Sequence, residues 1–311
     1  MEMSKKLNIS YVTYLNMKKG KSISKWTIQK MADFLDMTLK DALDSYQQHD
    51  HLSFSQIRTY KECPHKYWLS YIEDLKAREQ AEALTTGSNY HAEIEHLLKE
   101  ENGLLTTAEI MQFMPSDDAK IRAMVYAFAK YILPELPTLK EVEGKREGNI
   151  GGVDILAYLD ALGTDNIPVE HKTTSDRIDE VYKDSLAWDD QITLYAMLTG
   201  QTQVRYTAIQ KPTIKLKQNE TTEEYYKRCC EWYDDDPYTR TGTFLVTRSA
   251  NDIAEMIQDL SVLKNEIDNR KLWYRNPSAC KIFGCPFKSI CLNYVPGVET
   301  IGFEKRTRRS D

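Results

Sequence analysis

Long apolar runs are missing from this chain. None approaches the ~18 residues that a membrane-spanning helix needs, and the charged N-terminus lacks the apolar stretch of a secretion signal. A cytoplasmic location, with no membrane partner, is the expectation. No G-x-x-x-x-G-K-[ST] loop occurs, so these residues carry no nucleotide-driven motor. An excess of positive charge is missing too. The net charge of −6 is not that of a protein coated in basic surface for bulk nucleic-acid binding. It leaves room for a locally basic groove, because steering follows the distribution of charge rather than its sum. Cysteine is sparse, at six residues in 311, and in a reducing compartment six cysteines are not a disulfide framework.

A hydrophobic content of 41% is ordinary for a globular protein and argues against a largely disordered one. The length suggests about two domains. The most informative stretch is Asp160 followed ten residues later by Glu170-His171-Lys172. An apolar-rich run from Ile150 to Leu162 meets a turn at Gly163-Thr164-Asp165-Asn166, and a second short strand runs from Ile167 to Lys172. The pattern predicts a β-hairpin with an acid on its first strand and Glu-x-Lys on its second. Side chains alternate along a strand, so Glu170 and Lys172 share a face and His171 takes the other. Two carboxylates can hold a hard divalent cation such as Mg²⁺ or Mn²⁺. A lysine beside them can position a water and offset charge building on a phosphate. The bland reading is an acid–lysine pair on a solvated strand. Asp154 is a second candidate on the first strand, six residues from Asp160 and facing the same way. Asp160 is preferred because it lies nearer the turn, where cross-strand pairing with Glu170 is easier.

Other residues accompany this hairpin. A helical pattern from Asp184 to Leu198, stopped by Gly200, places Gln191 and Tyr195 four apart on one face. Upstream, Gly87-Ser-Asn-Tyr-His91 lies on a predicted helix with Glu95 one turn on, either a support for His91 or a solvated acid. Cys63, in Glu-Cys-Pro-His-Lys-Tyr-Trp, is matched by Cys280, Cys285 and Cys291 near the other end. Cys229 and Cys230 follow the capping pattern Thr221-x-x-Glu224 on an amphipathic helix and read as structural thiols.

Together these residues resemble the PD-(D/E)XK nuclease superfamily over roughly Leu52 to Tyr294. The closest likeness is to its RecB-like branch, which includes CRISPR-associated iron–sulfur exonucleases and phage exonucleases. The resemblance implies that His91, Asp160 and Glu170 bind the catalytic Mg²⁺ or Mn²⁺. It implies that Lys172, Gln191 and Tyr195 complete the catalytic set with Asp160 and Glu170. The segment from Tyr206 to Pro212 looks like the strand that follows the Gln/Tyr helix. It also implies that Cys63, Cys280, Cys285 and Cys291 bind a [4Fe-4S] cluster, with Zn²⁺ as the alternative; late gaps of four and five residues are wider than most zinc pairs. Such a centre would staple the two ends of the nuclease domain.

The fold class expected is α/β: a mixed restriction-endonuclease-like sheet flanked by helices, with Val204–Gln210 and Thr243–Thr247 as further strands. A helix should run from Ser249 to about Arg270, with Ile253, Met256, Ile257, Leu260, Leu263 and Ile267 at helical spacing. The domains expected are a small helical unit over 1–49, a nuclease domain with its cysteine cluster over 50–296, and a basic tail over 297–311. The first unit resembles the second half of a Cro/repressor-type helix-turn-helix, with the segment from Ser10 in the recognition position and the first helices missing; packing or partner binding is as good a reading as DNA contact. The function implied is a metal-dependent deoxyribonuclease. A single-strand exonuclease acting in recombination, repair, phage or CRISPR-related DNA processing is the finer expectation, with DNA ends and a DNA-processing assembly as partners. The alternative is a catalytically silent subunit that binds DNA ends or acts as a scaffold; a transcription factor built on the N-terminal helices is a weaker third.

Overall fold

Ser53 opens the first helix of the nuclease-like region with a capping box. Its hydroxyl accepts the Gln56 N–H while the Gln56 side chain accepts the Ser53 N–H. The computed structural model describes residues 51–78, 82–101, 116–270, 272–282, 285–295 and 300–305. The unit expected over 1–49 therefore lies outside the described residues, as does the tail beyond 305.

In chain order the elements are α1 (Phe54–Glu62), α2 (Pro64–Tyr67), β1 (Leu75–Ala77), α3 (Glu82–Glu101) and α4 (Ala119–Ala127). Then come β2 (Leu139–Ile150), β3 (Val153–Gly163), β4 (Pro168–Thr174), α5 (Glu180–Ser185), α6 (Asp190–Thr199) and β5 (Gln203–Gln210). They are followed by α7 (Thr222–Asp235), α8 (Pro237–Arg240), β6 (Thr241–Thr247), α9 (Ala250–Asn269), α10 (Pro277–Ile282) and β7 (Phe303–Lys305). Strands β2-β3-β4-β5-β6 form one mixed sheet in that order. All neighbours are antiparallel except β4 and β5, which run parallel. A parallel pair needs a long crossover, and helices α5 and α6 supply it.

Helices flank the sheet, as the sequence leads one to expect. Helices α3, α4 and α7 gather one core around Ile94, Met124, Phe128 and Tyr233. A second core joins α1 and α9 to the start of β3 through Ile57, Ile155 and Leu260. A third seats α6 on β5. Alternation along β5 divides its side chains between two of these: Val204, Tyr206 and Ala208 join the α6 core, whereas Ile209 joins the first. Among the described residues, no helix is long and apolar enough to cross a membrane.

Three expectations are corrected in detail. The apolar run begins one element later than Ile150, which ends β2; Gly151 and Gly152 (φ 60° and 85°) make the turn into β3. Both positions need a left-handed backbone, which glycine adopts without a Cβ clash. Strand β2 itself was not expected, because Leu139–Ile150 is rich in charge. It is an edge strand, where charge deters pairing with another chain. The helix expected from Asp184 to Leu198 is broken at a 3₁₀ turn, Leu186–Trp188, after which the Asp189 carboxylate caps α6. The Gly200 stop is present, at φ 67°, and so is the Thr221–Glu224 capping box.

The N- and C-terminal parts of this region meet in a small separate core of Leu69, Leu75, Phe287 and Phe303. Strand β7, within the span read as a basic tail, pairs antiparallel with β1 there, Ala77 opposite Phe303.

Candidate active site

The β3–β4 hairpin pairs at only two positions, Leu162 with Pro168 and Ala161 with Val169. The strands part at the next pair of residues, Asp160 and Glu170. There the Asp160 carboxylate replaces a strand carbonyl: its Oδ2 accepts the His171 N–H at 2.7 Å. An acid is thus held at the mouth of the parted strands by the backbone of the neighbouring strand.

Glu170 is 2% exposed. Its Oε1 accepts from the Lys172 ammonium, while its Oε2 has no hydrogen-bond partner. Burial raises the Glu170 pKa to about 7, helped by the Asp160 charge. Burial likewise raises Asp160 to about 6. Burial opposes the Lys172 ammonium, but the Glu170 and Asp160 charges outweigh it and hold its pKa above the ordinary value. Two acids and one base are thus kept close together in a place that water screens poorly.

Helix α6 aims the lysine. Lys172 Nζ donates to Gln191 Oε1 at 2.8 Å, Gln191 Nε2 donates to Tyr195 Oη at 2.8 Å, and Tyr195 Oη donates to the Tyr158 carbonyl at 2.6 Å. The chain returns to β3 two residues before Asp160, so β3, β4 and α6 form one hydrogen-bonded circuit. Arg248 braces the start of α6. Its guanidinium donates to Thr193 Oγ1 (2.8 Å), the Leu186 carbonyl (2.7 Å) and the Asp189 carbonyl (3.0 Å). Sequence reasoning missed Arg248, and no local signal marks it, because two of its three acceptors are backbone carbonyls.

His91 arrives from α3. Its Nδ1 lies 3.7 Å from Asp160 Oδ1, and burial lowers its pKa, which favours the neutral imidazole. Gly87, one turn earlier, allows this approach: a Cβ there would stand 3.3 Å from Thr173 Oγ1 on β4. His171 faces the other way. It bonds Thr207 Oγ1 at 2.6 Å and packs edge-on against Phe128. Glu95 pairs with Lys99 on the exposed face of α3, the solvated reading. Asp154 is exposed beside the Gly151–Gly152 turn and accepts from Asn149 Nδ2 at 2.7 Å. The structure therefore brings Asp160, not Asp154, together with Glu170, Lys172 and His91.

The donors suit a hard divalent cation: two carboxylates and a neutral imidazole, with the buried Glu170 Oε2 still unpartnered. Among the described residues no three His, Cys, Asp or Glu side chains form a ready metal cage. Two of the four carboxylate oxygens are instead occupied, by the His171 N–H and by Lys172.

The four cysteines of the early-and-late pattern line a single cavity with His65, Lys66 and Phe287 among others. None is in a disulfide. The extended Cys63 backbone separates α1 from α2. Cys63 Sγ accepts the Asn276 N–H at 3.4 Å, and the Arg275 guanidinium donates to the Cys291 carbonyl. Phe283 lies outside the described residues. Cys229 is buried elsewhere, in the core beneath α7. Thiolates suit iron–sulfur clusters and zinc alike, but among the described residues no three of these side chains are gathered into a group that could hold a metal ion.

A family model described as the PD-(D/E)XK nuclease superfamily matches residues 51–292. No curated protein matches the sequence. Similar solved structures include the crystal structure of SSO0001 (18% identity, TM-score 0.40, covering 84% of this chain and 96% of that one). They also include a phage related exonuclease from Haemophilus somnus 129PT (14% identity, TM-score 0.36, covering 69% and 80%).

Proposed function

This chain belongs to the PD-(D/E)XK nuclease superfamily, and on that premise we propose that it is a divalent-metal-dependent deoxyribonuclease acting as an exonuclease on single-stranded ends. The observation that carries the reading is the parted β3–β4 rung, where Asp160, Glu170 and Lys172 converge and Glu170 Oε2 is buried without a partner.

Asp160, Glu170 and His91 would hold Mg²⁺ or Mn²⁺. When bound, the cation supplies Lewis acidity toward a phosphate oxygen. Lys172 orients the attacking water and offsets charge developing on the phosphate. Gln191 holds Lys172 in that role by accepting from its ammonium, and Tyr195 fixes Gln191 in turn. Trp188 supports the single-strand preference: it is 86% exposed, three residues before Gln191, and offers a ring on which an unpaired base can stack. The four cysteines would hold a [4Fe-4S] cluster that fastens the two ends of the domain. Residues 1–49 would form a unit separate from catalysis.

The test is incubation of the purified protein with end-labelled single- and double-stranded DNA, in Mg²⁺, Mn²⁺ or chelator. Mononucleotide release from single strands, abolished by chelator, is expected. Binding of ends without cleavage in either metal would leave the silent end-binding subunit in its place.

A further inference from the structure

Behind the acid-bearing face of β4, one polar pair interrupts an apolar core. His171 is in register with Thr207 on β5, so the two side chains share a face. Val169, Ile209 and Phe128 lie in the core on that side. Burying an imidazole among such groups is unfavourable unless its nitrogens find partners. One does: Nδ1 lies 2.6 Å from Thr207 Oγ1. Among the described residues the other does not, for Nε2 is buried with no hydrogen-bond partner.

This arrangement fixes the proton. The Thr207 hydroxyl has a single hydrogen, which it directs at the Glu170 carbonyl over a long 3.5 Å. Its oxygen is left to accept from a proton on Nδ1. A proton on Nε2 instead would be a buried donor with no acceptor, and orphaned donors are rarer in folded proteins than orphaned acceptors. A proton on both nitrogens would add an unpaired buried charge. His171 is therefore neutral, with its hydrogen on Nδ1.

The bond stands directly behind the site. The main-chain N–H of His171 is the group that holds Asp160 Oδ2 at 2.7 Å, and its neighbours in sequence are Glu170 and Lys172. Pairing of β4 with β3 ends at Val169, so from Glu170 onward the strand is held by β5 alone. A side chain anchored on Thr207 sets the roll of β4 about its own axis there. That roll aims Glu170 and Lys172 on the opposite face. An apolar side chain of the same size would suit the core better and supply no anchor.

We propose that His171 is a positioning residue: its Nδ1–H, anchored on Thr207, sets the β4 backbone that presents Glu170, Lys172 and the N–H gripping Asp160. The role rests on the nuclease reading above, whereas the site of the proton does not.

The experiment combines steady-state cleavage of labelled single strands in Mn²⁺, thermal midpoints, and nitrogen NMR of the imidazoles in the full chain. The His171 signals, identified by their loss in His171→Asn, should show a protonated Nδ1 and a bare Nε2. His171→Leu fills the space without a donor. It should lower kcat roughly tenfold to a hundredfold, with KM nearly unchanged and the midpoint level or higher. His171→Asn sets an amide N–H near the Nδ1 position and should recover most of the rate, whereas His171→Gln, whose amide reaches toward Nε2, should not. Thr207→Val should repeat the His171→Leu result, and Thr207→Ser should rescue it. Wild-type kcat in both His171→Leu and Thr207→Val, with Glu170→Ala inactive, overturns the positioning role and leaves the nuclease reading standing. A fall in kcat matched by a fall in midpoint, and recovered by neither conservative variant, makes the bond merely structural and overturns the role as well. A proton found on Nε2 overturns the anchor. Absence of metal-dependent cleavage in the wild type overturns the nuclease reading and this role with it.

Discussion

At the scale of single residues the site is a contest between burial and charge, and substitutions should separate its members. Glu170→Ala, Lys172→Ala and Asp160→Asn are each expected to lower DNA cleavage roughly a hundredfold or more, with far-ultraviolet circular dichroism unchanged. Asp154→Asn should stay within a few-fold of wild type, because Asp154 is exposed and accepts from Asn149 at the turn, away from Glu170 and Lys172. A dead Asp154→Asn beside an active Asp160→Asn would reverse that choice. Trp188→Ala should slow digestion of single strands more than of duplex; equal slowing would remove the stacking role. Much of this cluster is legible in the sequence, since Asp160, Glu170 and Lys172 announce themselves by type and spacing. Arg248 does not, because two of its three acceptors are backbone carbonyls.

Elements fix where those residues stand. Gly87 lets α3 lie close to β4, so Gly87→Val should push the helix away and carry His91 from Asp160. Weakened Mn²⁺ binding in that variant, partly restored by adding Thr173→Ala, is the outcome expected from calorimetry. Arg248→Met should destabilise the fold by about 1–3 kcal/mol, because it removes the bonds to Thr193 Oγ1 and to two carbonyls that brace the start of α6; Arg248→Lys should recover only part. The β3–β4 turn gives a pH-dependent case. Burial pushes the Asp165 pKa up, but the Arg205 bond and the Ile167 N–H outweigh it and hold the carboxyl below its ordinary value. A depressed carboxylate stabilises the fold above its unfolded pKa and loses that contribution as pH falls through the folded one. The melting difference between wild type and Asp165→Asn should therefore be largest near neutrality and shrink below about pH 4; a constant difference would show the pairing to be immaterial. Caps and stops were readable here, as Gly200 and Thr221–Glu224 show. Strand β2 was not, because its hydrophobic alternation is diluted by the charges an edge strand tolerates. The break at Trp188–Asp189 escaped notice because Asp189 sits inside a sequence otherwise favourable to helix.

For the molecule as a whole, the cysteine cavity is where segments distant in sequence meet. Protein purified without oxygen is expected to be brown and to carry about four irons per chain. Cys63→Ser should remove the colour as fully as Cys280→Ser, and should lower the thermal midpoint; Cys229→Ser should leave the colour intact, since that thiol is buried in another core. Stoichiometric zinc in protein made anaerobically with iron would replace the cluster with a structural zinc ion. Deleting residues 1–49 should leave non-specific cleavage within a few-fold, and insolubility of the truncated chain would show that this segment is needed by the core. The general pattern of sheet and helices could be anticipated from sequence. The meeting of β1 with β7 could not, because a three-residue strand has too few positions to show alternation.

The closeness of Cys63 and Asn276, 213 residues apart in sequence, also sets an order on biosynthesis. A growing chain exposes Cys63 early, and the whole five-stranded sheet must emerge from the ribosome before its companions arrive. Strand β1 waits longer still for β7. The β3–β4 hairpin can therefore form while the cysteine cavity is open, and a message cut short before residue 280 would yield a polypeptide with Asp160 and Glu170 present and three of the four cavity cysteines absent. Ribosome-stalled chains of increasing length, probed by proteolysis, should become resistant around α1 and α2 only once residues beyond 305 have cleared the exit tunnel.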